Sequence, residues 1–224
     1  MSTPSQEDYL RTIYEIATDL GTKTARISTS LLAARLSVAA PSVTGMVKKL
    51  AEEGLFHYTP YQGVELTRRG ERVALNIVRR HRLLESLLVQ ILGYSWDEVH
   101  QEAHRLEHAV SDLFVERIAA LLGEPESDPH GEPIPTADGQ IQAWARHSLL
   151  DMKAGSFAKV VLVTDEDPAF LRYLDELGLR PGTPVRLVER VPFAGALKIQ
   201  VGDREEAIGL TTASRVRVHL LQRD

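Results

Sequence analysis

Apolar positions recur with helical spacing from the amino end onward. Tyr9, Ile13, Ile16 and Leu20 fall three or four residues apart, and Gly21 marks a stop. Thr3, Pro4 and Gln6 supply the start: a capping threonine, a proline at the first helical position and a glutamine that completes a capping box. A second helix is predicted after Ser28, through Leu31, Leu32 and Leu36. A third begins at Pro41, buries Val43, Val47 and Leu50, and ends at Gly54. The turn between them, Ser37 to Ala40, is short enough to make the pair a helix-turn-helix. Leu55–Tyr58 and Val64–Leu66 flank Thr59-Pro60-Tyr61-Gln62-Gly63 and predict a hairpin, after which Thr67 can cap another helix. Helix, helix-turn-helix and hairpin in that order are the layout of a winged helix.

A long helix is predicted next, to about Leu92, with Val73, Ile77, Leu84, Leu87, Leu88 and Ile91 as its apolar set. Gly93-Tyr94 breaks it. Ser95-Trp96-Asp97-Glu98 reads as a capping box for a further helix running to about Leu122. The stretch from Gly123 to Gly139, rich in proline, glycine and acidic residues, reads as a linker. A short helix is expected around Ile141–Leu150. Beyond Phe157, Lys159–Val163, Val185–Val188, Leu197–Val201 and Val216–Leu221 bunch β-branched residues between glycine and proline turns, with one helical insert at Leu171–Leu177. The expectation is a mainly α chain with a small β domain resembling a barrel. Its boundaries are 1–72 for the winged helix, 73–140 for a helical domain with the Pro/Gly linker at its end, and 141–224 for the β domain.

The helical pattern also arranges chemistry. Of eight histidines in 224 residues, His81, His100, His104 and His108 lie on the two central helices, alongside Glu85 and Glu107. Trp96, Val99, Ala103, Leu106, Val110 and Leu113 form one stripe of the later helix. His100, His104, Glu107 and His108 form a second, about a third of a turn away. A solvated amphipathic face is the plain alternative. Imidazoles and carboxylates at i, i+4, i+7 and i+8, beside a second His–Glu pair, point instead to a site for a divalent first-row metal. Other segments must complete the coordination, and Asp8 is a candidate. The chain has no cysteine, which excludes disulfides and thiolate ligands. Oxygen and nitrogen donors suit Mn²⁺ or Fe²⁺, while Zn²⁺ or Co²⁺ can occupy such a site in vitro.

Charge adds a partner. The net charge of −5 argues weakly against nucleic acid, but Lys48, Lys49, Arg68, Arg69 and Arg72 cluster near the helix-turn-helix. Pro41, Ser42, Thr44 and Gly45 would face base edges in a major groove, and Lys48 and Lys49 the phosphates. Tyr61 and Gln62 of the hairpin are placed to touch the sugar-phosphate strand. No apolar run reaches the roughly 20 residues that span a bilayer, and the first residues lack a signal-peptide layout, so a cytoplasmic protein without membrane contact is expected.

These motifs together resemble the diphtheria-toxin-repressor family of metal-dependent transcription regulators, including its manganese-sensing branch. The residues that carry the resemblance are Glu7-Asp8-Tyr9-Leu10-Arg11-Thr12-Ile13-Tyr14, Pro41-Ser42-Val43-Thr44, Arg80-His81-Arg82-Leu83-Leu84-Glu85 and His100 through His108 with Ser111-Asp112. Gly131-Glu132-Pro133-Ile134-Pro135 and Leu177-Gly178-Leu179-Arg180-Pro181-Gly182 also fit. The resemblance implies a helical dimerisation domain and an SH3-like, FeoA-like last domain. It further implies a regulatory metal site of Asp8, His104, Glu107 and His108, and an ancillary one of His81, Glu85, His100 and Glu166. Three positions depart from the pattern: His104 stands where relatives carry Cys or Glu, Arg11 replaces an acidic residue, and Ala169 replaces an amide ligand. The implied function is a homodimeric repressor of metal-transport genes that binds palindromic double-stranded operator DNA when Mn²⁺ or Fe²⁺ is bound, and not an enzyme. A metallohydrolase using the same His/Glu cluster is the alternative, since such clusters can activate water.

Overall fold

The computed structural model describes residues 3–22, 25–143, 147–165, 167–191 and 195–221. They form two compact units, one of residues 1–81 with 135–140 and the other of 82–134 with 141–224.

The first unit is the winged helix. Helices α1 (Pro4–Asp19), α2 (Thr29–Leu36) and α3 (Ala40–Glu52) precede strands β1 (Phe56–Thr59) and β2 (Gly63–Leu66), and α4 (Arg68–Gln90) follows. The capping box forms as expected: the Gln6 amide donates to Thr3 Oγ1 at 3.4 Å and the Thr3 amide to Gln6 Oε1 at 2.8 Å. Ser28 caps α2 through the Leu31 amide. Ser37 in left-handed backbone (φ 55°) then ends α2, and α3 leaves it at 111°. Leu10, Ile13, Leu32, Val43, Val47 and Leu50 close the core between the three helices. The hairpin pairs Phe56 with Leu66 and Thr59 with Gly63. Ile27 and Val64 exchange backbone hydrogen bonds of 2.8 and 2.9 Å, which stitches the α1–α2 connection to the wing. Gly63 permits this: its φ is 107°, and a Cβ there would lie 2.6 Å from the Ile27 carbonyl oxygen.

The second unit holds the remaining turns of α4, then α5 (Val99–Glu107) and α6 (Asp112–Leu121). Leu83, Leu84, Leu88, Val99, Ala103, Val115, Ile118 and Ile134 pack between these helices. It continues into a six-stranded antiparallel sheet of order β3-β8-β4-β5-β6-β7. The strands are β3 (His147–Ser148), β4 (Phe157–Val163), β5 (Pro184–Val191), β6 (Ala196–Val201), β7 (Arg204–Gly209) and β8 (Val216–Leu221). Helices α7 (Pro168–Glu176) and α8 (Leu210–Arg215) interrupt them. Register shifts at Val160/Leu162 and Leu187/Glu189 bend the sheet around a core of Val160, Leu171, Leu187, Leu197, Ile199 and Val218.

Four expectations are corrected. The helix predicted from Ser95 to Leu122 is two helices, because Ser111 Oγ accepts from the Phe114 amide and starts α6 afresh. Leu113 therefore leaves the apolar stripe and is 69% exposed. Ser95 and Glu98 bond each other's side chains (2.6 Å) instead of capping backbone, so α5 begins only at Val99. The helix expected over Ile141–Leu150 is absent from its described residues. His147–Ser148 pairs with β8 instead, and Leu149–Asp151 is a 3₁₀ turn capped by Ser148; residues 144–146 lie outside the described residues. The stretch from Gly123 to Gly139 is packed in part: Asp128, His130, Pro133, Ile134 and Pro135 are buried, while its ends, including Glu124 and Asp138, are exposed.

Candidate metal centre and DNA-reading face

Helix α5 builds the first cluster from its own spacing. Residues three apart share a face, and His104 Nδ1 lies 2.7 Å from Glu107 Oε1. His108, the C-cap residue, brings Nε2 to 3.5 Å from the same oxygen. The two imidazoles meet edge to face, with centroids 5.6 Å apart. Glu107 itself is fully buried (0% exposed). A carboxylate withdrawn from water is costly unless it is paired and hydrogen-bonded, and the two imidazoles stand beside it. The first unit carries Asp8, half-buried on α1.

A second cluster centres on Glu85 of α4, which is 1% exposed. Its Oε1 is 3.1 Å from His100 Nδ1, and its Oε2 is 3.8 Å from His130 Nδ1. His130 Nε2 sits 2.8 Å from the Trp96 carbonyl, and its ring stacks on Trp96 at 5.7 Å between centroids. The Arg180 guanidinium lies 5.2 Å from the centroid of the same indole. Burial opposes a charged His130, but Glu85, Asp128 and the Trp96 carbonyl outweigh it and raise the imidazole to about 10. Ligand atoms of Glu85, Asp128 and His130 all lie within 4.8 Å of one another. Asp128, however, already accepts the His130 and Glu132 amides (2.8 and 2.9 Å), and Arg82 Nε stands 3.8 Å away. Arg82 also donates to Glu132 and to the Pro133 carbonyl. Burial, with the charges of Glu85 and Glu132, pushes the Asp128 carboxyl well above the usual range. We read this set as a buried ion-pair network that holds Glu85 in place. His130 and Asp128 were missed by sequence reasoning; Pro129-His130-Gly131 was the available signal, masked by its proline-rich surroundings.

His81 is buried on α4 in the first unit, and Arg11 Nη1 lies 2.9 Å from its Nδ1. Arginine has no acceptor, so the imidazole lone pair at Nδ1 is engaged. Ala169 sits exposed on α7 and offers no ligand atom. Glu166 lies outside the described residues.

On α3, Pro41, Ser42, Gly45, Lys48 and Lys49 are exposed together, while Thr44 is half-buried and donates to the Ala40 carbonyl at 3.1 Å. On α6, Leu113, Phe114 and Leu121 are exposed apolar residues (69, 47 and 65%). Among the described residues no single helix is long and apolar enough to cross a membrane.

A winged helix followed along the chain by helices bearing buried His/Glu clusters and then by a small β domain defines a metal-responsive DNA-binding regulator. Known proteins agree. The model of the iron-dependent repressor N-terminal DNA-binding domain matches residues 1–64, that of its metal-binding and dimerisation domain 67–136, and that of the FeoA domain 147–220. The iron-dependent repressor IdeR of Mycobacterium bovis is 38% identical over 227 residues, covering 95% of each chain. The diphtheria toxin repressor of Corynebacterium diphtheriae is 31% identical, covering 82% of this chain and 84% of its own. Among solved structures, a manganese-dependent transcriptional repressor in complex with manganese superposes with a TM-score of 0.85 at 40% identity, covering 96% of this chain and all of the other. The manganese regulator SloR gives 0.76 at 35% identity, covering 98% of this chain and all of its own. The chain belongs to the diphtheria-toxin-repressor family of metal-dependent transcriptional regulators. These relatives are repressors or, for SloR, a regulator, and lend no support to the metallohydrolase alternative.

Proposed function

We propose that this protein is a cytoplasmic, homodimeric repressor of metal-transport genes that grips palindromic operator DNA when Mn²⁺ or Fe²⁺ is bound. The observation that carries this reading is Glu107: a carboxylate fully buried between His104 and His108. Oxygen and nitrogen donors without sulfur fit those ions. In the proposed regulatory site Asp8, His104, Glu107 and His108 hold the ion, and His81, Glu85 and His100 form a second set. His81 and Glu85 lie one helical turn apart on α4; Glu166 of the family's pattern is the remaining candidate there. A bound dication supplies the positive charge that these carboxylates share.

Asp8 belongs to the DNA-binding unit and the other three ligands to the helical one. Their common ligation ties α1 to α5 and fixes the reading heads of a dimer. Two recognition helices then lie about 34 Å apart, one turn of B-DNA. Pro41, Ser42, Thr44 and Gly45 face base edges, and Lys48 and Lys49 face phosphates. No catalytic step is involved.

The test is DNA affinity across Mn²⁺, Fe²⁺, Co²⁺ and Zn²⁺ with a chelated control, on duplexes selected from a random pool by the Mn²⁺-loaded protein. Tight binding only with metal is expected. In Asp8→Ala, metal-dependent binding should disappear while the protein stays dimeric; a retained metal response would remove Asp8 from the site.

A further inference from the structure

Glu85 presents its two oxygens to two different imidazoles. Oε1 lies 3.1 Å from His100 Nδ1, inside the second ligand set, and Oε2 lies 3.8 Å from His130 Nδ1, outside both sets. Groups behind a metal ligand orient it, and their loss typically weakens metal binding about 10- to 100-fold. Whatever holds His130 therefore bears on Glu85.

The β domain holds it in two ways. The His130 carbonyl accepts the Val163 amide of β4 at 2.9 Å. Gly131 permits that approach: its φ is 91°, and a Cβ there would lie 1.9 Å from the Val161 carbonyl oxygen. The ring is fixed by Trp96, which stacks on it at an interplanar angle of 20° and turns its own carbonyl to Nε2. Trp96 precedes α5, yet it is 3% exposed and belongs to one buried apolar cluster with Leu149, Leu171, Leu187 and Val218 of the β domain. Arg180, whose guanidinium lies beside the indole, donates to Asp175 of α7. Arg172 of α7 donates to Asp97 at 2.9 Å and so pins the residue next to Trp96. All of these residues belong to one compact unit.

We propose that Trp96 is a positioning residue through which the β domain sets the second metal site: keyed into the β-domain core, it holds His130, and His130 holds the Glu85 carboxylate. The link uses no metal ligand beyond Glu85 itself. It rests on the reading of Glu85 and His100 as ligands of a second ion. Seating of the β domain and occupancy of that site then favour each other reciprocally.

The experiment titrates wild type, Trp96→Leu, Trp96→Phe, His130→Leu and Ile208→Ala with Mn²⁺ by calorimetry, and follows amide hydrogen exchange at Val163 with and without the ion. Trp96→Leu keeps an apolar side chain in the core but removes the stacking face; His130→Leu leaves Trp96 in place and removes the imidazole behind Glu85. In both, the second Mn²⁺ step should weaken by about 10- to 100-fold, with the first step unchanged. Trp96→Leu should also speed exchange at Val163 in the metal-free protein, and in wild type Mn²⁺ should slow it. Trp96→Phe should keep both steps near wild type. Ile208→Ala truncates a buried core residue on the edge strand β7; it should lower the melting temperature without weakening the second step. Unaltered second steps in Trp96→Leu and His130→Leu would overturn the proposal. An Ile208→Ala variant as weak as Trp96→Leu would also overturn it, since β-domain stability alone would then explain the loss. A wild type that binds a single equivalent would remove the second ligand set itself, and this inference with it.

Discussion

Arg11 illustrates how one substitution in a family pattern acts through a single atom. Its guanidinium engages the Nδ1 lone pair of His81 at 2.9 Å, and a permanent cation at that distance opposes a dication on the same ring. Arg11→Ala should tighten binding of the second Mn²⁺ equivalent roughly tenfold, for relief of about 1.4 kcal/mol, and leave the first unchanged. Calorimetric titration reads both steps, and an unaltered second step would mean that Arg11 does not compete there. His104, Glu107 and His108 were legible because helical spacing alone brings them together. Arg11 was legible only as a departure, since nothing in spacing reveals that it reaches His81 seventy positions later. A second single-residue case is Asp151, whose carboxyl the Ser148 amide and hydroxyl hold below its usual range. With the folded value depressed, its stabilisation is complete above the unfolded value of about 4 and fades as pH falls through the folded one. Asp151→Asn should therefore be less stable than wild type at neutral pH, with the gap in urea midpoints closing in strong acid. A gap that persists there would show that the ionised cap is not its source.

At the level of elements, periodicity located α1, α2, α3 and the wing because each buries one face against a shared core. It failed where local chemistry overrides period. Ser111 restarts the helix that Val110 and Leu113 seemed to continue. Strand β7 went unread because only Ile208 among its residues is buried, leaving no alternation to see. The stretch from Gly123 to Gly139 has a linker's composition, yet Asp128, His130 and Pro133 to Pro135 within it are buried. Its carbonyls at Pro133 and Pro135 accept from Arg82 (2.6 Å) and Arg79 (2.9 Å), and Asp128 faces Arg82. Removing the guanidinium takes the cation from buried Asp128 and half-buried Glu132, so Arg82→Met should cost about 3–5 kcal/mol in urea unfolding. A loss below about 1 kcal/mol would show that Asp128 and Glu132 do not need the arginine, contrary to the network described for Glu85.

For the whole molecule, the net charge of −5 conceals a division of labour, with the exposed lysines of α3 in the unit that reads DNA. Leu113 and Phe114 lie exposed within the segment that matches the family's dimerisation domain. Replacing both with aspartate should yield monomers in sedimentation velocity and abolish operator binding; a persistent dimer would place the interface elsewhere. The central claim is that an ion shared by Asp8 with His104, Glu107 and His108 couples metal occupancy to DNA grip. Such coupling is reciprocal and typically amounts to about 1–3 kcal/mol. Mn²⁺ affinity measured with and without saturating operator duplex tests it most directly. The account predicts an affinity about 5- to 150-fold higher on DNA, and identical affinities in the two titrations would contradict it.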